Sequence, residues 1–361
     1  MKIGLYGGTF DPITKGHIKI AKHAIENLGL DKLIFIPVYV NPFKTKQKSV
    51  DCNHRYNMIQ LILEDKMEVS AFEINKKGPS YTIDTLRYFK NKFPNDKLYF
   101  LFGSDNLDTI HKWENVDEFN DLVELVCYRR SDNINKANLK KYHIKIMNNT
   151  LYNFSSTDYR QGNIEMVTKD VQNYIAENYL YFDDILRNTL SVNRYKHCKQ
   201  TAEFASKLAI YLNYSQKIAY YAGLLHDITK EWSIDTHRNF LKKYNVNDKD
   251  VNDHELHQLT GYLYLKNILL IKNKELLNAI KHHTTLTYSM TTLAKIIYVA
   301  DKICMGRAWK GIQRYRNMVF NNFDEGYKNL VLKIWNYYKD NNYSLTNEQN
   351  NIYEYNIKNN E

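Results

Sequence analysis

The sequence predicts an α/β domain, a parallel sheet with helices on both faces, followed by an all-α domain, and three observations carry that expectation. Residues 1 to about 180 alternate short apolar runs (KIGLY, KLIFIPV, KLYFLF, LVELVCY) with helical patterns such as the one from about Gly16 to Leu28. Such alternation is what strands joined by crossover helices produce. From about Asp183 the apolar residues recur instead at three- and four-residue spacing, in EFASKLAIYL, IAYYAGLLHDI, ELLNAIKHH and LAKIIYVADKI, which is helix throughout. Finally, 361 residues exceed what one hydrophobic core usually serves. The expected boundaries are 1–182 for the first domain and 183–345 for the second, with 346–361 a polar, asparagine-rich tail, frayed or weakly helical. The junction, LYFDDILRN, contains no Pro/Gly/Ser linker.

Composition removes several classes of function. Apolar residues make up 43% and charged residues 25%, and no apolar run approaches the roughly 20 residues needed to span a bilayer, so no membrane partner is expected. The start, MKIGLYGGTFDP, turns glycine-rich where a secretory signal would turn apolar, which predicts a soluble, cytoplasmic protein. Cys52, Cys127, Cys198 and Cys304 are far apart and form no CxxC pair, so reduced thiols are expected, not a zinc ribbon or a disulfide scaffold. The net charge of +10 is scattered among asparagines and 30 tyrosines without a basic block. No nucleic-acid partner is expected, although the excess helps attract anionic nucleotides.

In the first half, Gly7-Gly8-Thr9-Phe10-Asp11-Pro12 follows the first strand, and Gly16-His17 opens the next helix. Glycines let backbone amides approach phosphate oxygens, and a helix N-terminus adds positive potential. The whole, GGTFDPxTxGH, resembles the signature of the nucleotidyltransferase superfamily, which implies a Rossmann-like fold, transfer of AMP or CMP from a triphosphate, and contact of His17 with its phosphates. Bland alternatives for His17 are a capping or core histidine. Among these enzymes the nicotinate mononucleotide adenylyltransferases usually carry HxGH, whereas here Thr14 stands for the first histidine. Thr14 can hydrogen-bond a phosphate or ribose but carries no charge. The TxGH form is more typical of phosphopantetheine adenylyltransferase, which is therefore the runner-up.

Other segments favour the nicotinate family. Ser80-Tyr81-Thr82 in GPSYTIDTL resembles its SYTxxTL motif, and Gly103-Ser104-Asp105 followed by Trp113 resembles its GxD…W pair. A flat pyridine ring stacks on an indole, and amides and hydroxyls bind its carboxylate. Against this stand a core tryptophan and a capping Asp105. Ser155-Ser156-Thr157 with Arg160 resembles SSTxxR, implying nucleotide-phosphate contacts, where the plain reading is an N-cap with an exposed arginine. Lys44, in NPFK, takes the place of a family lysine near the triphosphate, with Phe43 replacing the usual histidine. The end of the domain, YIAENYLY, resembles YIxxNxLY, so the resemblance covers nearly all of residues 1–181. It implies ATP, with Mg²⁺, and nicotinate mononucleotide as substrates, catalysis by position and charge at His17, Lys44 and Arg160, and no covalent intermediate.

The second half places His197, His226-Asp227, His257, His283 and Asp301 in order, with Lys230 three residues after the His-Asp pair. Adjacent His and Asp on a buried helix are costly to desolvate without a cationic partner, and a metal is the simplest one. The order resembles the HD superfamily of metal-dependent phosphohydrolases. RYxH, GLLHDxxK, LHxxxG, AIxxHTT and KIIYVADKI resemble, more narrowly, the bacterial family that splits diadenosine tetraphosphate symmetrically into two ADP. That resemblance implies two metal ions, iron, manganese or similar, held by those six residues, with Asp227 and Lys230 in catalysis and Arg307 a further cation for the polyphosphate. His254 and His282 lie off the motif. After Asp301-Lys302-Ile303 the family usually has an acidic residue and a proline, and here stand Cys304 and Met305. The combined expectation is a bifunctional enzyme. Its rivals are a metal-stabilised module that senses nucleotides without turnover, and an HD enzyme acting on other nucleotides.

Overall fold

Strands β1 Lys2–Gly8, β2 Lys32–Pro37, β3 Met67–Val69, β4 Lys97–Gly103, β5 Glu124–Tyr128 and β6 Lys145–Met147 form one sheet in the order β3-β2-β1-β4-β5-β6. Every neighbouring pair is parallel, as in Ile3 opposite Leu33's neighbour Lys32 and Ile3 opposite Leu98. Ile3, Leu5, Leu33, Phe35, Leu101 and Val126 are all fully buried, because crossover helices cover both faces of a parallel sheet. The computed structural model describes all residues except 41–48, 132, 133, 135, 250, 344 and 359–361. It divides into two compact units, Met1–Ile175 and Ala176–Glu361, each with its own interior.

Helices α1 Lys15–Leu28, α2 Cys52–Gln60, α3 Thr82–Lys92 and the short α4 Ser156–Arg160 carry residues that matter below. Gly29 stops α1 in the left-handed region at φ 62°, where a residue without Cβ is least strained.

The second unit contains no strand among its described residues. Its chemistry-bearing helices are α5 Val192–Tyr211, α6 Gln216–Leu225, α7 Leu256–Asn267, α8 Lys274–His282 and α9 Thr292–Ile303. Ser191, Ser215, Asn273 and Thr291 cap α5, α6, α8 and α9 by accepting a backbone N–H three residues on. Long α10 Phe323–Asp340 and α11 Asn347–Lys358 follow.

Where a frayed or weakly helical tail is expected, the structure has the packed helix α11. Tyr353 and Asn356 are buried at helical spacing, and Asn356 accepts from the Tyr327 hydroxyl at 2.8 Å while donating to Thr287 O at 2.9 Å. A buried amide with its partners satisfied is inexpensive, yet in sequence an asparagine gives no sign of being buried. Among the described residues no helix is long and apolar enough to cross a membrane.

Candidate active sites

The strand order of the first unit reverses between β1 and β4, so the connections leaving these two strands diverge and open a crevice at their C-terminal ends. Gly7 and Gly8 end β1 and Gly103 ends β4, so the glycine-rich turns face this crevice. It is a cleft of about 740 Å³. Gly7, Gly8, Thr9, Phe10 and His17 line one part of it, and Ser80, Tyr81 and Thr82 another. Gly103, Asp105 and Trp113 lie on the β4 side, and Ser155, Ser156, Thr157 and Arg160 complete the lining. The nucleotidyltransferase motifs, scattered over 150 positions of sequence, therefore meet in one place. Lys44 lies outside the described residues.

Thr14 is the exception among the described residues. It is 1% exposed, and it caps α1 without lining the cleft. Its backbone N–H donates to His17 Nδ1 at 3.0 Å, and its hydroxyl lies 2.8 Å from the same nitrogen. The network thus assigns the ring proton to Nε2, which makes that atom a hydrogen-bond donor. Burial, and then the charge of Arg130, push the His17 pKa down to about 3. His17 is a neutral donor at the cleft, not a cation.

Arg160 donates to Asp11 O and approaches the Asp11 carboxylate at 3.8 Å, while the Ser156 hydroxyl donates to Pro12 O at 2.7 Å. Ser155 caps α4 by accepting from Asp158 N–H at 2.9 Å. The capping reading and the cleft-lining reading therefore both describe this segment, which fastens α4 to the glycine-rich turn. Trp113 packs on Phe102 and Phe119, with ring centroids 6.0 and 6.1 Å away, and also lines the cleft.

Two cleft arginines escaped the sequence reading. Arg130 forms an ion pair with Asp105 at 3.3 Å, and a Cβ added to Gly103 would collide with both side chains. Arg55 is 1% exposed and donates to the carbonyls of Val50, Thr9 and Tyr39 at 2.9, 2.7 and 3.2 Å. Among the described residues this buried cation donates to backbone carbonyls, holding the glycine-rich turn against two other wall segments.

In the second unit Gly223 decides the geometry. A Cβ there would meet Ala202 Cα at 2.8 Å, so α6 crosses α5 at backbone contact, bringing His226 beside His197 with ring centroids 5.1 Å apart. His257 lies in the first turn of α7, His283 just past α8, and Asp301 in the last turn of α9. Two groups of ligand-type atoms result, His197 with His226 and Asp227, and Asp227 with His257 and His283. Asp301 joins the first, 2.9 Å from His197 Nε2. His254 and His282 belong to neither group.

Donor chemistry fits a cation. His226 Nδ1–H donates to Gly223 O and His283 Nδ1–H to Ile280 O, each at 2.7 Å, which turns both Nε2 atoms inward. His226 Nε2 is buried, 3.3 Å from Asp227 and 3.5 Å from Asp301, and hydrogen-bonded to neither. His257 Nε2 and His283 Nε2 face each other at 3.0 Å, a contact that needs a proton or a shared cation between them. Burial would lower the His226 pKa, but Asp227 and Asp301 outweigh it and hold the ring up at about 10. Burial raises the two carboxyls while their cationic neighbours hold them well below the usual range. Cations ring the cluster: Arg194 on Asp227 at 2.7 Å, Lys302 and Arg307 on Asp301 at 2.8 and 3.0 Å, and Lys230 on His257 Nδ1 at 3.1 Å. Of these, Arg194 and Lys302 had no role in the sequence reading, although both stand inside its motifs.

A cytidylyltransferase-like family model matches residues 5–162, and an HD domain model matches residues 194–306. A Mycoplasma genitalium protein called probable nicotinate-nucleotide adenylyltransferase/Ap4A hydrolase is 32% identical over 353 residues, which is 94% of this chain and 99% of the relative. The chain belongs to that two-domain family. A Mycoplasma pneumoniae member of the same name is 31% identical over 303 residues, 83% of this chain and 87% of its own. A Clostridium botulinum protein called probable nicotinate-nucleotide adenylyltransferase is 39% identical over 201 residues, 51% of this chain but 99% of its own, and so corresponds to one half of the two-domain family.

Proposed function

We propose that this chain is a bifunctional cytoplasmic enzyme. Its first unit transfers AMP from ATP to nicotinate mononucleotide, giving nicotinate adenine dinucleotide and pyrophosphate, and its second splits diadenosine tetraphosphate into two ADP. The observation that carries the first half is the meeting of Ser80–Thr82, Asp105 and Trp113 with the Gly7–Phe10 turn and His17 around one cleft. That carrying the second is the pair of His/Asp groups sharing Asp227. The relatives' names support both substrates, and four buried, unpaired cysteines are in keeping with a reducing compartment.

In the first cleft Trp113 stacks on the pyridine ring, and Ser80, Tyr81, Thr82 and Asp105 hold the rest of the mononucleotide. The glycine-rich turn, Ser155–Thr157 and Gly103 hold ATP, which arrives with Mg²⁺. The mononucleotide phosphate attacks the α-phosphorus of ATP, the α–β bridge bond breaks, and pyrophosphate leaves. His17 offers its Nε2–H to phosphate oxygens that gain charge in the transition state, and the positive charges of Arg160 and Lys44 offset that charge.

In the second unit His197, His226, Asp227 and Asp301 would hold one divalent ion, iron or manganese in character, and Asp227, His257 and His283 a second. Bound there, the ions supply Lewis acidity that polarises a phosphate and makes water nucleophilic near neutral pH. Lys230 and Arg307 offer positive charge to the polyphosphate chain.

The test incubates the full-length protein with ATP and either nicotinate mononucleotide or phosphopantetheine, and separately with diadenosine tetraphosphate, and separates the products by chromatography. Dinucleotide from the first mixture and ADP alone from the last are expected. Turnover of phosphopantetheine would reassign the first cleft. AMP with ATP would mean another cut, and metal bound at full occupancy without hydrolysis of any nucleotide would favour a sensor.

A further inference from the structure

Cys304 follows α9 and is fully buried. Its Sγ lies 3.8 Å from His197 Nδ1, and the Thr201 hydroxyl donates to the same sulfur at 3.6 Å. The other ring nitrogen of His197, Nε2, faces Asp301 at 2.9 Å and Asp227 at 3.8 Å. For Nε2 to present a lone pair to a cation, Nδ1 must carry the ring proton, and a buried N–H needs an acceptor. The sulfur stands where that acceptor is required.

Nor is the sulfur free to move away. Cys304 N–H closes the last turn of α9 on Ala300 O at 2.9 Å, and Arg316 donates to Ile303 O and Cys304 O at 2.8 Å each and to Arg307 O at 2.9 Å. The Cys304 side chain has a single rotatable bond to its sulfur, so a pinned backbone leaves Sγ little choice of position. Thr201, four residues beyond His197 on α5, directs its proton at the sulfur as well, so two donors converge on Sγ.

We propose that Cys304 is the positioning residue of His197: its sulfur accepts the Nδ1 proton, fixing ring orientation and tautomer so that Nε2 is available to a metal ion. This rests on reading the His/Asp cluster as a metal site. Thiol sulfur is a weak acceptor, so the link is looser than the carboxylate–histidine link that commonly supports a metal-binding imidazole. A carboxylate in its place therefore strengthens the site, and a methyl group weakens it.

The experiment strips the full-length protein of metal with a chelator and titrates Mn²⁺, following the loss of the free-ion EPR signal, for wild type, Cys304→Ala, Cys304→Ser and Cys304→Asp. Cys304→Ala should bind Mn²⁺ about tenfold more weakly or worse. Cys304→Asp should bind at least as tightly as wild type, and Cys304→Ser, which keeps an acceptor, should fall between. Adenylyl transfer should be the same in all four. Equal Mn²⁺ affinity in the Ala, Asp and wild-type proteins overturns the role of Cys304, as does an Asp variant no better than Ala. His226→Ala is titrated alongside. If it binds Mn²⁺ as wild type does, or if wild type binds none, the metal reading itself fails, and the proposal falls with it by a route the Cys304 variants do not share.

Discussion

Thr14 decides where the proton sits on the His17 ring. The Thr14 N–H occupies Nδ1, so Nε2–H is the donor left for the phosphates in the proposed reaction. His17→Ala should lower adenylyl transfer by about a hundredfold or more, since a donor aimed at transition-state charge is lost, with Km for either substrate changed less than kcat. The folded pKa of about 3 lies below the roughly 6.5 of an exposed histidine, so between those values the unfolded chain binds a proton that the native one does not. Stability from this group is complete above about pH 6.5 and is lost as pH falls toward the folded value. Urea unfolding at about pH 7 and about pH 5 should therefore show a larger loss for wild type than for His17→Gln. Trp113→Ala should raise Km for nicotinate mononucleotide more than for ATP, by an amount worth about 1 kcal/mol of stacking. Its packing on Phe102 and Phe119 means that Trp113→Phe is the variant that separates stacking from stability. At this scale the legible residues were those in spaced motifs. Arg130 and Arg55 were not legible, because an arginine held by an aspartate and a tyrosine distant in sequence, or by backbone carbonyls, imposes no pattern on its neighbours.

Elements were legible where burial has a period. Strands β1, β2, β4 and β5 were legible because a sheet covered on both faces makes them continuous apolar runs, whereas β3 and β6, three residues each, are too short to show one. Helices α1 and α5 were legible because one face of each is buried, and α9 because it is apolar and buried nearly all round. Helix α11 did not, since its inward face is one tyrosine and one asparagine and its partners lie far away in sequence. Gln349 on α11 donates to the Glu255 carboxylate at 3.0 and 3.2 Å, two residues before His257, and Asn356 holds Thr287 O, four residues after His283. Tyr353→Ala should thus cost the second unit about 3 kcal/mol in urea unfolding, as truncating a buried aromatic does, and hydrogen exchange should quicken around His257 and His283. The α5–α6 crossing gives a sharper case. Gly223→Ala inserts a methyl group against the Ala202 backbone, which cannot yield as a side chain can. It should cost about 1–3 kcal/mol and also weaken Mn²⁺ binding, because the displaced helix ends on His226. A variant that loses stability but binds Mn²⁺ as before would detach the crossing from the metal site.

Over the whole molecule, the two proposed chemistries draw on separate sets of residues. Every described residue of the first cleft lies between Tyr6 and Arg160, and every member of the His/Asp cluster between His197 and Asp301, each set inside one compact unit. The first unit's sheet has a core of its own, from Ile3 to Ile144, and no residue of the cluster belongs to it. The consequence is a clean separation by a single substitution. Asp227 is common to both metal-type groups, and its carboxylate is buried among His226, His257, His283 and Arg194. Asp227→Ala leaves Arg194 without its counter-charge and both groups without a shared ligand, so Mn²⁺ binding and diadenosine tetraphosphate cleavage should be lost together. Asp227→Asn keeps the shape but removes the charge, and should lose both as well, which tells ligand chemistry from packing. Adenylyl transfer should continue at the wild-type rate in either variant, measured on the same preparation. A parallel fall in the two activities would mean that the units do not work independently, and retained hydrolysis in Asp227→Asn would remove Asp227 from the reaction.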